Sequence, residues 1–302
     1  MELSIQVFNQ VVVIFILMIT GAVLYKTKII SDEGTSQLTG LLLNIVMPAV
    51  IIDAFQKEFN AEIVNNLLIA TGISIVIHII AILLSSVIFI KDTPGNAVNK
   101  FSSVYSNCGF MGFPILTAVF GTDGVFYGSA YFAVFTVLSW THGVYVYGKK
   151  EAELNIKKII FNPGMIGVIT GVALFLLKVK LPYVLDESLG YVAMLNTPLA
   201  MIVLGTHMAR IKFEDIKDKL NLSIVTLLKL VIIPLSGIIF IKLFNITGDA
   251  AGAVIISAAC PTAASSALFA LKYNKDAVYS TVTVVVTTLL SIISLPLLIT
   301  LL

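Results

Sequence analysis

The chain has 302 residues, of which 58% are hydrophobic and only 12% are charged, and its mean hydropathy is +1.01. Soluble domains carry about 25% charged residues, so this chain has too few polar groups to cover a surface in water. The composition therefore predicts an integral membrane protein and excludes a soluble domain. The formal net charge of +2 also excludes a nucleic-acid partner.

Ten apolar segments are long enough, at about 20 residues each, to cross a bilayer as helices. In chain order they lie near residues 7–25, 37–55, 63–90, 97–119, 124–147, 160–177, 188–208, 220–241, 250–271 and 277–301. The connections between them are short, and none has room for a soluble domain. The sequence thus predicts an all-α membrane protein with ten transmembrane helices.

Basic residues are distributed unequally between the two ends of these predicted helices. Fourteen Lys and Arg residues lie on one side and four on the other, while Lys229 lies inside the eighth helix. Because cytoplasmic loops of membrane proteins are rich in Lys and Arg, the first side is predicted to be cytoplasmic. We therefore expect a multi-pass protein of the cell membrane with both termini outside the cytoplasm.

The chain divides into two halves of five predicted helices each. Residues 1–147 form the first half, 148–159 a basic cytoplasmic loop, and 160–302 the second half. At an offset of 152, Asn44 aligns with Asn196 and the two cysteines, Cys108 and Cys260, align with each other. Since five is an odd number, a repeat of this kind places the halves in inverted orientation, as in many secondary transporters.

The fourth and ninth predicted helices are interrupted at equivalent places by "SNCGFMGFP" (106–114) and "SAACPTAASS" (257–266). Proline removes a helical hydrogen bond and clashes with the preceding turn. Non-helical backbone at membrane depth persists only where it is buried in protein or lines a wet cavity. Paired interruptions in inverted halves indicate a substrate site, although ordinary packing kinks would leave the same pattern.

The interruptions also suggest the charge of the ligand. Each one exposes the N-terminal amides of the following half-helix, and two such positive ends would converge on an anion if the helices cross. Neither interruption contains the acidic residue that a cation site would need, although carbonyl ends could also hold a cation. The predicted substrate-binding residues come from the interruptions and the Asn-containing second and seventh helices: Asn44, Asn107, Cys108, Gly109, Pro114, Asn196, Cys260, Pro261, Thr262 and Ser265.

Four stretches that span the chain resemble the auxin efflux carrier family: "LLLNIVMPAVIIDAF", "SNCGFMGFPILTAVFG", "NTPLAMIVLGTHMA" and "AACPTAASSALFALKY". The resemblance implies the bile-acid symporter-like fold, in which helices 4 and 9 cross. It further implies a scaffold of helices 1, 2, 6 and 7 and a moving transport domain of helices 3–5 and 8–10. The short central loop is similar to that of bacterial organic-acid permeases rather than plant auxin exporters.

The function predicted from these features is secondary transport of a small organic anion, a mono- or dicarboxylate or an auxin-like acid, by alternating access. The alternative is a cation/proton antiporter of similar fold. No catalytic or metal-binding motif and no nucleotide-binding loop is present, so we expect neither an enzyme nor a cofactor. A proton or sodium ion for coupling and a homodimer remain open as partners beside the substrate and the bilayer.

Four further polar residues lie in or near the predicted helices, and each has more than one interpretation. Asp53 would meet water at the membrane interface or carry a proton. Lys229 would reach the interface, pair with a backbone carbonyl or balance the charge of the substrate. His78 and His142 would be hydrogen-bonded packing residues or members of a proton relay.

Overall fold

A computed structural model describes residues 2–90, 94–148, 156–210 and 218–302 of the chain. Within these ranges every regular element is helical, which confirms the all-α prediction, and a single isolated antiparallel bridge joins Ser106 to Thr262. Most of the predicted cytoplasmic loop, 148–159, lies outside the described residues.

The described helices are numbered here in chain order: α1 (Glu2–Lys26), α2 (Asp32–Ala54), α3 (Ala61–Ile88), α4 (Pro94–Val104), α5 (Cys108–Gly148), α6 (Ile156–Ile160), α7 (Pro163–Leu176), α8 (Tyr183–Met208), α9 (Lys219–Leu243), α10 (Asp249–Ala259), α11 (Ser265–Lys272) and α12 (Ala277–Ile299). Six of them, α2, α3, α5, α8, α9 and α12, are long and apolar enough to cross a membrane. Helices α7 and α10 and the Val12–Lys26 part of α1 are apolar but shorter.

Helix α5 is 41 residues long, but it does not run straight. Gly121 has φ 61° and ψ −147°, a combination that is essentially restricted to glycine. After Gly121 the chain folds back on itself. This is shown by Gly124, which lies so close to Leu116 that a Cβ on the glycine would collide with the carbonyl oxygen of Leu116. In a straight helix residues eight apart would lie about 12 Å apart. The bend falls between the predicted helices 97–119 and 124–147.

Several long helices contain a turn of π-helix directly before a proline. These turns span Leu42–Val46, Cys108–Gly112 and Leu228–Ile232, and they precede Pro48, Pro114 and Pro234 respectively. A proline cannot donate a backbone hydrogen bond, and its ring crowds the carbonyl four residues earlier. The wider turn accommodates both defects without ending the helix.

The helices pack in two groups. In the first, α1 lies along α8 and α2 lies between α7 and α8. A Cβ on Gly205 would collide with the carbonyl oxygen of Met18, so α1 and α8 approach through their backbones. In the second group, α10 packs against α5 and α3, and it also contacts α9 and α12. The interrupted pairs α4–α5 and α10–α11 both belong to the second group.

Candidate functional site

The two interruptions lie against each other at the centre of the second group. The amide of Asn107 donates to the carbonyl of Pro261 at 2.7 Å, and the amide of Ala263 donates to the carbonyl of Tyr105 at 2.9 Å. Ser106 and Thr262 form the antiparallel bridge between these bonds. Each interruption thus supplies hydrogen-bond partners to the other, which replaces the helical bonds that both have lost.

Each interruption is followed by the N-terminus of a helix. In α5, the first intrahelical bonds run from Met111 and Gly112 to the carbonyl of Asn107, so the amides of residues 108–110 have no acceptor within the helix. Helix α11 begins at Ser265. These N-termini carry partial positive charge, which favours a bound anion.

Both N-termini lie on the wall of one cavity of about 250 Å³. Its polar lining includes Asn44, Ser106, Asn107, Ser265 and Asn162. Its apolar lining is largely aromatic and includes Phe110, Phe132, Phe135, Trp140 and Phe269. No described carboxylate or amine side chain lines it. Drug-sized ligands occupy pockets of about 300–1,000 Å³, so this cavity suits a smaller molecule.

Two polar atoms on this wall have no hydrogen-bond partner among the described residues. They are Nδ2 of Asn107 and Oγ of Ser265, and both atoms are buried. Asn107 is only 4% exposed. Buried polar groups in native proteins are nearly always paired, so unpaired ones at a cavity wall are candidates to bind a ligand. The amide would donate to an anion, as would the hydroxyl.

The structure brings four of the ten predicted site residues to this cavity: Asn44, Asn107, Gly109 and Ser265. Asn44 donates through Nδ2 to the carbonyl of Gly40 at 2.7 Å. Its side-chain oxygen can still accept a hydrogen bond from another group.

The region where the two interruptions pair, between residues 105–107 and 261–263, is called the crossing here. Five other predicted residues are buried around it and do not line the cavity: Cys108, Pro114, Cys260, Pro261 and Thr262. Thr262 donates through Oγ1 to the carbonyl of Ser102 at 2.8 Å, so its hydroxyl supports the backbone. Cys108 and Cys260 are free thiols close together, since a Cβ on Gly112 would lie 3.5 Å from both residues. Their positions fit a role in packing the crossing.

Asn196 lies on a second cavity of about 520 Å³, which Asn107 and Ser265 do not line. The carboxylates of Asp53, Asp186 and Glu187 line this second cavity too. Oδ1 of Asn196 and Oδ1 of Asp186 are buried without a described hydrogen-bond partner. Asn44 and Asn196, which align at the sequence offset of 152, therefore line different cavities.

Lys229 is the residue at the crossing that the predicted site omits. Its side chain is fully buried, and its ammonium group donates to the Ser106 hydroxyl and, at 3.0 Å, to the carbonyl of Ala258. The Ser106 hydroxyl also lies 2.9 Å from the Tyr131 hydroxyl. One sequence signal marked this residue, a lone lysine in an apolar helix. Of the three interpretations of that lysine, the structure agrees with pairing to a backbone carbonyl.

His78 and His142 each make a hydrogen bond through Nδ1. Nδ1 of His78 donates to the carbonyl of Ser74 at 2.7 Å, and the ring is fully buried. Nδ1 of His142 lies 2.9 Å from the hydroxyl of Tyr105. Neither ring lines the cavity of Asn107. Both positions fit packing residues.

An all-α membrane protein with two interrupted helices paired beside a cavity of polar and aromatic side chains has the architecture of a transporter. The sequence matches the family described as "Membrane transport protein" over residues 6–299. It is 24% identical to an uncharacterized transporter of Methanothermobacter thermautotrophicus, with 96% of each chain covered. It is 23% identical to the uncharacterized transporter YfdV of Escherichia coli strain K12, with 94% of each chain covered.

The chain belongs to this family of membrane transport proteins, which is the auxin efflux carrier family. The resemblance found in the four sequence stretches is thereby confirmed. The relatives are named as transporters without a substrate.

Proposed function

We propose that the protein is a secondary transporter that moves a small organic anion across the cell membrane by alternating access. The substrate class is a mono- or dicarboxylate or an auxin-like acid. The observation that carries this proposal is the cavity of about 250 Å³, where the N-termini of α5 and α11 and the unpaired amide of Asn107 converge and no described carboxylate is present. Amide donors and helix N-termini together favour a carboxylate ligand.

The proposal includes ten membrane crossings in two inverted halves, residues 1–147 and 160–302, with both termini outside the cytoplasm. Three features support this topology. The bend at Gly121 falls between the predicted helices 97–119 and 124–147, where ten crossings require the chain to turn. Helices α4 and α10 each end at an interruption that a second half-helix follows. The paired interruptions join residues close to Cys108 and Cys260, which align in the repeat.

Alternating access requires that the site communicate with one side of the membrane at a time. Asn44 and Asn196, which align in the repeat, line separate cavities. The crossing lies beside the cavity that Asn44 lines. We propose that the second helix group carries the crossing as a moving transport domain, while α1, α2, α7 and α8 form the scaffold.

A cation/proton antiporter is the second candidate function. The observation in its favour is the larger cavity, where Asp53 and Asp186 lie near the unpaired Oδ1 of Asn196. Oxygen atoms of this kind bind hard cations or carry protons. The crossing itself holds the ammonium of Lys229, which would repel a cation, and this makes the anion carrier the better-supported function.

Flux measurements in proteoliposomes test the two functions against each other. The purified protein is reconstituted, and uptake of labelled acetate, malonate and indole-3-acetate is measured under imposed pH and sodium gradients. We expect uptake of at least one carboxylate above that of empty liposomes, with no inhibition by an uncharged amide of the same size. Sodium/proton exchange without any carboxylate flux would support the antiporter and overturn the proposal.

A further inference from the structure

A fully buried lysine lies directly behind the wall of the proposed site. Among the described residues, Lys229 is the one Lys, Arg, Asp or Glu whose side chain is fully buried. It lies in the π-helical turn Leu228–Ile232 of α9, before Pro234. A buried charge is costly unless it is paired. An ionisable residue inside an apolar helix is therefore a candidate for a functional role.

The partners of the ammonium group are neutral. They are the hydroxyl of Ser106 and the carbonyl of Ala258, in the last turn of α10. The C-terminus of a helix carries partial negative charge, and this end holds the ammonium in place. No described carboxylate pairs with Lys229, and therefore its formal charge is not cancelled within the crossing.

One residue, Ser106, connects Lys229 to the cavity. Ser106 lines the cavity next to Asn107, and its hydroxyl accepts from the ammonium, whereas Lys229 does not line the cavity. A ligand in contact with Ser106 would thus be separated from the ammonium by that one residue, in a region of low effective dielectric. Coulomb attraction over such a distance is several times stronger than in bulk water. Neutral donors such as Asn107 orient a carboxylate and favour it over an amide, and a full positive charge behind them adds to that preference.

We propose that Lys229 is a specificity-determining residue, whose fixed positive charge behind Ser106 makes the cavity select a carboxylate over its uncharged analogue. This inference rests on the proposed function, since it concerns the same site. Lys229 acts through Ser106 and the field in the cavity, and it does not bind the substrate itself. Substrate selection then has two parts. Donors from Asn107 and the helix N-termini set the orientation of the ligand, and Lys229 makes the cavity prefer a negatively charged ligand.

The test compares the affinity of the detergent-purified protein for malonate with its affinity for malonamide, by calorimetry. We expect at least tenfold preference for malonate in the wild type and in Lys242→Gln, an exposed lysine of the same helix. We expect Lys229→Gln and Lys229→Met to lose that preference by tenfold or more while binding malonamide as the wild type does. An unchanged ratio in either variant would overturn the inference.

A second pair of variants leaves Lys229 in place, in case its replacement prevents folding. Ser106→Asp would put a carboxylate against the ammonium, and Ser106→Asn has nearly the same size without the charge. We expect both to fold with similar melting temperatures, because the new carboxylate pairs with Lys229, and we expect only Ser106→Asp to lose the preference for malonate. An Asp variant that fails to fold while the Asn variant folds would show that Lys229 carries no charge there.

The wild-type measurement separates this inference from the proposed function. A wild type that binds and transports neither malonate nor any other carboxylate overturns both. A wild type that transports carboxylates, together with Lys229 variants that keep the full preference, overturns only the role of Lys229.

Discussion

At the scale of single residues, Asn107 connects the structure of the crossing to the ligand. Its backbone amide donates to the carbonyl of Pro261, and its carbonyl accepts the first two hydrogen bonds of α5. Its side-chain Nδ2 has no hydrogen-bond partner among the described residues. The backbone half of this arrangement does not involve the side chain. The side-chain half is therefore available for binding without a cost to the fold.

We predict that Asn107→Ala reduces transport about tenfold to a hundredfold, because a hydrogen bond to a charged partner contributes about 1.5–3 kcal/mol. The melting temperature without substrate should stay near that of the wild type, since Nδ2 makes no hydrogen bond to the described residues. Transport in proteoliposomes and thermal melting in detergent measure the two effects. Asn65→Ala, an exposed asparagine on α3, is the control and should change neither.

The sequence was informative about site residues where composition itself was unusual. Glycine, proline, asparagine and serine within apolar helices marked Asn107, Gly109 and Ser265, and these now lie on one cavity. Lys229 was equally unusual, but a lone lysine in a helix can reach water, a carbonyl or a substrate. Only the packing of α9 against the crossing distinguishes these, and no local pattern encodes that contact.

At the scale of elements, the placement of helices follows from apolar length, whereas their interruptions follow from proline and glycine. The π-helical turns before Pro48, Pro114 and Pro234 could not be predicted, because proline equally permits a kink or a helix end. The reversal in α5 depends on Gly121, whose backbone conformation is denied to other residues.

We predict that Gly121→Ala destabilises the protein by about 1–3 kcal/mol, the usual cost of forcing a side chain into a sparsely allowed backbone conformation. The melting temperature in detergent should fall by several degrees. Gly72→Ala is the matched control: a Cβ at that position in α3 has no neighbour within 4 Å, and alanine favours a helix. Its melting temperature should be unchanged or higher. Equal effects of the two substitutions would contradict the role given to the bend.

At the scale of the whole molecule, one ion pair joins the two helix groups and another lies within the first group. Lys57, which follows α2, pairs with Asp123 at the bend of α5. Arg210, which follows α8, pairs with Asp32 at the start of α2 at 2.9 Å. The first pair joins the proposed scaffold to the proposed transport domain. The second pair lies within the scaffold.

We predict that tying the first pair together stops transport, and that tying the second does not. Lys57→Cys with Asp123→Cys, and Asp32→Cys with Arg210→Cys, are each treated with a short bifunctional maleimide. The native thiols, Cys108 and Cys260, are buried and should not react. Full transport after cross-linking of the first pair would mean that the two groups do not move apart at this contact.

The most direct test of the central claim is the position of a bound carboxylate in an experimental structure, obtained with the substrate that gives the fastest flux. We expect carboxylate oxygens within hydrogen-bond distance of Nδ2 of Asn107 and of the amides that begin α5, with Ser106 between the ligand and Lys229. A carboxylate bound instead in the cavity of Asp53 and Asp186, or outside both cavities, would contradict it.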